Sequence, residues 1–292
     1  MFFSGHFQKC LTVIGPVLKW VGGKRQLLHE ILPRVETVPY TRYVEPFFGG
    51  GAVFFSLLPD KAVINDYNRD LINVYRVIKE DVEALISCLA YHAEQNSKEY
   101  YYEVRSWDRA ESYPRLSAVE RAARFLYLNK TCYNWLFRVN SKGQFNVPFG
   151  RYKHPNIVNA EMLRVVSVYF REKDIRIENR DYRDILEGVK AGDFVYLDPP
   201  YMPISSSSSF TSYTEQGFSY EEQVALKEAC DALRSRGIPF LQSNSDCPEI
   251  RELYKEYDLV TVRASRSVNS QGTKRGKINE VLISYGWKGW SE

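Results

Sequence analysis

Three patterns in the sequence predict an α/β fold of the doubly wound kind. Short apolar stretches at Tyr43–Glu45, Ala62–Asn65 and Phe194–Leu197 read as strands. Residues at helical spacing follow, as at Leu71, Val74, Tyr75 and Ile78. A glycine-rich turn, Pro46–Gly51, comes after the first strand, and an acid, Asp66, after the second. Strand, glycine turn, helix, strand, acid is the opening of an open parallel sheet.

The elements then run in order. Met1–Val17 reads as a leader. Lys19-Trp20-Val21-Gly22-Gly23-Lys24 is a glycine turn with a helix, Arg25–Leu32, after it. Ala52–Leu58 and Asp70–Lys79 are predicted helices. Val82–Leu128 is helical and rich in Tyr, Arg and Glu. Asn129–Lys153 changes character, with Tyr133, Trp135, Phe137, Phe145, Phe149 and Tyr152 close together. Within it, Phe137–Val139 and Gln144–Val147 would pair as a hairpin around Ser141-Lys142-Gly143. The α/β pattern resumes with a strand at Asp174–Glu178 and the buried strand Phe194–Leu197. Ser205–Ser209 is a polar loop, Tyr220–Arg236 an amphipathic helix, and Pro239–Ser243, Val260–Ala264 and Val281–Tyr285 are strands. The simplest organisation is one α/β domain, residues 1–75 and 165–292, interrupted by an insert at 76–164.

Composition excludes several classes. Of 292 residues, 44% are hydrophobic and 26% charged, which is ordinary for a globular protein. The net charge of +3 does not by itself announce a nucleic-acid binder. The five cysteines form no Cys-x-x-Cys pair and the four histidines have no ligand spacing, so neither a disulfide framework nor a metal site is expected. The longest apolar run, Phe47–Leu58, contains three glycines and is too short to span a bilayer. With no signal-peptide pattern, a cytoplasmic protein is expected.

Asp198-Pro199-Pro200-Tyr201 follows the buried strand, at the end where open sheets place their ligands. These residue types suit methylation of an exocyclic ring amine such as that of adenine. Its lone pair is conjugated and poorly nucleophilic. A carboxylate, Asp198, accepting one N–H and a carbonyl, Pro199, accepting the other would favour a pyramidal nitrogen. Pro199 and Pro200 fix the backbone that presents this carbonyl. Tyr201 offers a flat face for a base.

The second motif, Glu45-Pro46-Phe47-Phe48-Gly49-Gly50-Gly51, lets a ligand approach the backbone. It lacks both Gly-x-Gly-x-x-Gly spacing and a Lys-Ser/Thr, so a pyrophosphate is disfavoured and a compact sulfonium nucleoside fits better. Asp66 is placed to accept bonds from ribose hydroxyls.

Together these pieces resemble the Dam family of DNA adenine-N6 methyltransferases, from about Leu18 to Tyr285. Four blocks carry the resemblance: Lys19–Lys24, Val44–Gly51, Gln144-Phe145-Asn146-Val147-Pro148-Phe149-Gly150-Arg151-Tyr152-Lys153, and Asp198–Tyr201. The resemblance implies a Rossmann-like methyltransferase domain with an inserted, mainly helical target-recognition domain carrying a β-hairpin. It implies S-adenosylmethionine as cofactor, no metal, and duplex DNA as partner, with GATC the site. A cognate restriction endonuclease acting on the same site is a further possible partner. Trp20, Lys24, Glu45, Phe47, Gly49, Gly51, Asp66, Asp181 and Asp198 would surround the cofactor. Asp198 and Tyr201 would handle the target base. Lys19 would reach the DNA target, and Tyr133, Asn134, Leu136, Arg138 and Pro148 match the family's recognition hairpin. Trp135 stands where the family has Gly.

Charge distribution agrees with DNA as partner. Arg115–Lys153 holds eight Lys/Arg, Arg151 and Lys153 among them, against one acid, and Arg263–Lys277 holds five and none. Arg138 is a candidate for a bidentate contact to guanine, and Tyr152 for stacking. The alternative is an exocyclic-amine methyltransferase on cytosine N4 or RNA adenine, since the same chemistry serves any such amine.

Overall fold

The computed structural model describes residues 14–20, 22–202, 218–265 and 277–287. In chain order these form α1 (Leu28–Glu36), β1 (Arg42–Glu45), α2 (Phe54–Leu57), β2 (Lys61–Asn65), α3 (Arg69–Glu80) and α4 (Val82–Gln95). They continue with α5 (Lys98–Ser106), α6 (Ala118–Thr131), α7 (Ala160–Glu172), β3 (Asp174–Glu178), α8 (Tyr182–Glu187) and β4 (Asp193–Leu197). Last come α9 (Tyr220–Ser235), β5 (Phe240–Ser245), α10 (Pro248–Leu253), β6 (Asp258–Ser265) and β7 (Lys277–Tyr285).

Local chemistry sets most boundaries. The predicted helix at Arg25–Leu32 begins as a 3-10 turn, Lys24–Leu27, and continues past Pro33, because Ile31 and Val35 are buried one turn apart. The predicted helix Ala52–Leu58 shortens to α2, which ends where Leu58 turns left-handed at φ 47°. The single helical stretch read over Val82–Leu128 is three helices, each started by a side-chain cap: Asp81, Ser97, and Ser117 with Glu120 in a capping box. The hairpin narrows to one antiparallel bridge, Val139–Phe145, flanked by the Asn140 N–H bond to the Gln144 carbonyl. The Asn140 side chain accepts the Lys142 and Gln144 N–H groups, closing the turn with side-chain bonds in place of further ladder pairing.

The chain forms two compact units. The first comprises Met1–Gly23, Gly49–Leu58 and Asn68–Ile177. Its helices α3, α4, α6 and α7 pack together, so it extends beyond residues 76–164 on both sides. An aromatic core holds it: Phe54, Phe55, Tyr75, Tyr169 and Phe170 are all buried and meet edge-on or tilted.

The second unit comprises Lys24–Phe48, Pro59–Tyr67 and Glu178–Glu292. The sheet is seven-stranded in the order β3-β2-β1-β4-β5-β7-β6. Pairings β1–β2, β1–β4 and β4–β5 are parallel, and β7 runs antiparallel to both β5 and β6. Side chains alternate across the strands. Val44, Val63, Val195, Leu197, Phe240, Val281 and Ile283 point to one face, where α8, α9 and α10 cover them with Ile185, Leu226, Cys230, Leu233 and Ile250. Burying each such aliphatic or aromatic side chain contributes about 1.5–3 kcal/mol. The opposite face carries Tyr43, Glu45, Tyr196 and Ser243, and this polarity marks the functional side.

Candidate active site

In the order of strands, β2 and β4 lie on opposite sides of β1, so the chain order reverses at the β1–β4 seam. Open parallel sheets bind ligands at the carboxyl ends of strands at such a seam. Glu45 is the last residue of β1, and Asp198 follows the last residue of β4. Leu197 pairs with Gln242, which brings Ser243 beside Asp198, and Ser245 pairs with Glu280 on β7.

Three side chains converge on Asp198 and Tyr201. Lys24, only 5% exposed, sets its ammonium 2.8 Å from Oδ1 of Asp198. The Ser243 hydroxyl donates to the same oxygen at 3.0 Å. Among the described residues no donor reaches Oδ2. Burial raises the Asp198 carboxyl above its ordinary range, and Lys24 and Ser243 pull it back by favouring the ionised form. The Tyr201 hydroxyl donates to Glu280 at 2.5 Å, and the Lys24 ammonium lies 4.5 Å over the Tyr201 ring and 4.0 Å from Glu280. Burial raises the Glu280 carboxyl and, with the acids Asp198 and Glu280 close by, holds the Tyr201 phenol well above its usual value. Tyr201 is therefore a neutral donor with one ring face under a cation.

The turn from Asp198 to Met202 is held from behind. Gln223 of α9 donates to the Pro200 carbonyl at 3.0 Å and is itself held by the Asn244 amide at 2.9 Å. The Ser245 hydroxyl donates to the Met202 carbonyl at 2.7 Å. Among the described residues no donor occupies the Pro199 carbonyl. Sequence reading missed Ser243, Glu280, Gln223 and Asn244. A signal was present: Gln242-Ser243-Asn244-Ser245 is a polar run inside a strand that is buried throughout.

The turn after β1 is shaped by Asn65, also missed. Its side chain donates to the Pro46 and Arg180 carbonyls at 3.0 and 3.1 Å, and its own carbonyl accepts the Phe48 N–H at 2.8 Å. Glu45 is buried and accepts from the Tyr43 hydroxyl at 2.8 Å. Phe47 packs on Tyr182 and Phe218 with ring centroids 5.0 and 6.1 Å apart. Asp66 is partly exposed at the end of β2, its carbonyl held by Asn179 at 2.8 Å. Asp181 caps α8 through the Arg183 N–H at 2.9 Å and pairs with the Arg183 guanidinium at 3.2 Å.

In the first unit, Gly49 is left-handed at φ 51°, and a Cβ there would fall 2.8 Å from Trp20 Cδ1. Tyr75 holds the Gly49 carbonyl at 3.1 Å, and the Gly51 carbonyl accepts the Phe55 N–H ahead of α2. Trp20 also stacks on Phe137 at 5.1 Å and Phe125 at 6.2 Å. Asn129, a further residue missed in the sequence, makes two bonds to the Lys19 backbone, at 3.1 and 2.8 Å.

The predicted DNA-contacting residues share this unit. Tyr133 and the Pro148 carbonyl are joined by a 2.8 Å bond, next to the Cys132–Phe149 bridge. A Cβ on Gly150 would lie 2.6 Å from the Cys132 carbonyl oxygen, so only glycine lets these strands approach. Trp135 stacks on Tyr152 at 4.9 Å, and the Lys19 ammonium sits 3.2 Å over the Trp135 ring. Asn134, Trp135 and Arg151 have φ of 53°, 54° and 52°, a strained conformation outside glycine. Leu136 is half-buried, its carbonyl accepting from the Cys132 thiol at 3.2 Å. Arg138 is exposed and oriented by Asn146 at 2.7 Å; Lys153 is exposed.

One cation leaves the surface patch read over Arg115–Lys153. Arg124 is 4% exposed, paired with Asp108 at 2.9 Å and bonded to the Val104 and Arg105 carbonyls. Ser205–Gly217 and most of the basic run Arg263–Lys277 lie outside the described residues, as does most of the leader. Among the described residues no His, Cys, Asp or Glu cluster could hold a metal, and no helix is long and apolar enough to cross a membrane.

Residues 20–268 match the model of the D12 class N6 adenine-specific DNA methyltransferase family. The chain is similar to a type II methyltransferase, M1.LlaDCHI, of Lactococcus lactis subsp. cremoris, with 47% identity over 95% of this chain and 97% of that one. It is 42% identical to the type II methyltransferase M.MjaIII of Methanocaldococcus jannaschii, over 92% of this chain and 98% of that one. It is 37% identical to the DNA adenine methylase of Escherichia coli strain K12, over 92% and 94%.

Proposed function

The chain belongs to the D12 class of N6 adenine-specific DNA methyltransferases, and from that premise we propose that it transfers a methyl group from S-adenosylmethionine to an adenine turned out of duplex DNA, within GATC. The observation that carries the reading is Asp198 at the end of β4, held through Oδ1 while Oδ2 and the Pro199 carbonyl face no intramolecular donor among the described residues.

The residues present fit a sulfonium nucleoside. Phe47 offers an apolar ring, Asp66 a partly exposed acid at the end of β2, and Glu45, Asp198 and Lys24 a charged group at the seam. Trp20, Gly49, Gly51 and Asp181 complete the set implied by resemblance. When bound, S-adenosylmethionine supplies a methyl group on a positively charged sulfur. Asp198 Oδ2 accepts one N–H of the adenine amine and the Pro199 carbonyl the other, so the nitrogen lone pair is freed from the ring. Pro199 and Pro200 hold that carbonyl in place, and Tyr201 stacks the base. After the C–N bond forms, Asp198 is the base nearest the proton that the nitrogen sheds. Lys19, Tyr133, Asn134, Leu136, Arg138 and Pro148 read the target. Arg151 and Lys153 contact phosphates, and Tyr152 stacks on bases. Residues 76–164 form the recognition domain and 1–75 with 165–292 the catalytic one. The enzyme is cytoplasmic, and a restriction endonuclease of the same specificity is its implied companion.

Plasmid DNA incubated with the protein and S-adenosylmethionine is then cut with enzymes that distinguish methylated from unmethylated GATC. A switch in the cutting pattern is expected. N4-methylcytosine in the digested DNA, or methylation of RNA alone, would overturn the reading.

A further inference from the structure

We propose that Ser243 is a positioning residue for methyl transfer: with Lys24 it pins Oδ1 of Asp198, so that Oδ2 alone is presented to the target amine. The proposal rests on the role given to Asp198 above.

The proton inventory fixes the direction of the bonds. Ser243 Oγ lies 3.0 Å from Asp198 Oδ1 and 3.2 Å from the Tyr196 hydroxyl. A carboxylate only accepts, and serine has one proton. Ser243 therefore donates to Asp198, and Tyr196 donates to Ser243. Both Tyr196 and Ser243 are fully buried. Burial, with Asp198 close by, keeps the Tyr196 phenol protonated, so its end of the chain stays a donor. Such chains polarise one another and strengthen each bond.

Lys24 cannot fix the carboxylate alone. A carboxylate turns about a broad two-fold torsion, and an ammonium on a four-carbon stem follows it as a point charge. Lys24 is also drawn toward Glu280 at 4.0 Å and the Tyr201 ring at 4.5 Å. Ser243 has one rotor and stands on β5, hydrogen-bonded on both sides to β4 and β7. Its register beside the end of β4 sets the plane of the Asp198 carboxylate.

The test uses the full chain with Ser243→Ala, Tyr196→Phe, both together, and Asp198→Ala. Single-turnover methylation of a duplex with one site is followed across pH at saturating S-adenosylmethionine, beside Tm and DNA affinity. Ser243→Ala is expected to lose about ten- to hundredfold in rate, the range for a lost bond to a charged group. DNA affinity should stay within about twofold, and the acid limb of the rate should move to higher pH, because the ionised carboxylate has lost a donor. The double variant removes the orphaned phenol, so it should regain Tm while keeping the kinetic defect. Rates within about threefold of the natural chain, or an unmoved acid limb in the double variant, would overturn the proposal. A fully active Asp198→Ala would instead sink the role of Asp198 itself.

Discussion

Replacing Asp198 with Asn isolates the chemistry of one oxygen. The amide has nearly the shape of the carboxylate but a single acceptor. Two donors, the Lys24 ammonium at 2.8 Å and the Ser243 hydroxyl at 3.0 Å, converge on the Oδ1 position. The amide oxygen must turn toward them, and its NH2 then faces the target amine, donor against donor. The lost charge-assisted bond costs about 1.5–3 kcal/mol, and the unpaired donor about 1–3 kcal/mol more. At about 1.4 kcal/mol per tenfold, the rate should fall about 10²- to 10⁴-fold. Asp198→Ala loses the acceptor without adding a donor, so it should be the faster of the two. It should also be less stable, because it strips the buried Lys24 of its nearest partner. The assay is single-turnover transfer of labelled methyl to a one-site duplex, beside thermal unfolding of both variants. An Asn variant faster than the Ala variant would refute this reasoning, as would either rate within tenfold of the natural chain.

Three further outcomes are expected. Gly49→Ala puts a methyl 2.8 Å from Trp20 Cδ1 in a left-handed conformation, which costs a non-glycine residue about 1–2 kcal/mol. Tm should fall and calorimetric affinity for S-adenosylmethionine should drop several-fold, whereas unchanged affinity would take Gly49 out of the cofactor site. Glu280→Gln keeps an acceptor for Tyr201 and removes a charge whose carboxyl burial has raised above 4.5. A raised acid contributes stability below its unfolded value and loses it as pH rises through its folded value, so the Tm of the variant relative to the natural chain should improve from about pH 4.5 upward; a difference flat in pH would contradict this. Trp135→Gly relieves the φ of 54° while giving up the Tyr152 stack and the Lys19 contact. Strain relief of about 1–2 kcal/mol and lost aromatic and cation–π contacts of about 1–2.5 kcal/mol roughly cancel. Tm should hardly move, and methylation of singly substituted sites should show weaker discrimination at the base pair that Lys19 is proposed to reach; an unchanged ranking would separate Trp135 from recognition.

The strands β1, β2 and β4 were legible because each is a short, largely buried run that ends in a turn or an acid. The tetrapeptide Asp198–Tyr201 stood out because it follows a buried strand, and the structure places it at the end of β4. Helix boundaries within Val82–Leu128 were less so. Asp81, Ser97 and Ser117 were readable as caps, but continuous helical spacing masked the breaks between three helices.

What escaped the sequence has one physical cause: a polar side chain's role depends on which distant residue the fold brings to it. Ser243 and Glu280 sit in strands whose neighbours, β4 and β5, are set only by sheet register. Asn65 read as the end of a strand and Asn129 as the first residue of the aromatic stretch, yet each staples backbone across 110 or more positions. Arg124 counted as surface charge until Asp108 and two carbonyls buried it. Periodicity finds the apolar face, because burial there needs no particular partner. A buried hydrogen bond needs one atom at one distance, and that information exists only once the sheet is assembled. The residues that hold Asp198 and Tyr201 therefore belong to the fold's register, which is why changing Ser243 should alter rate and pH response, and changing Glu280 the pH dependence of stability, without altering the Asp198–Tyr201 motif.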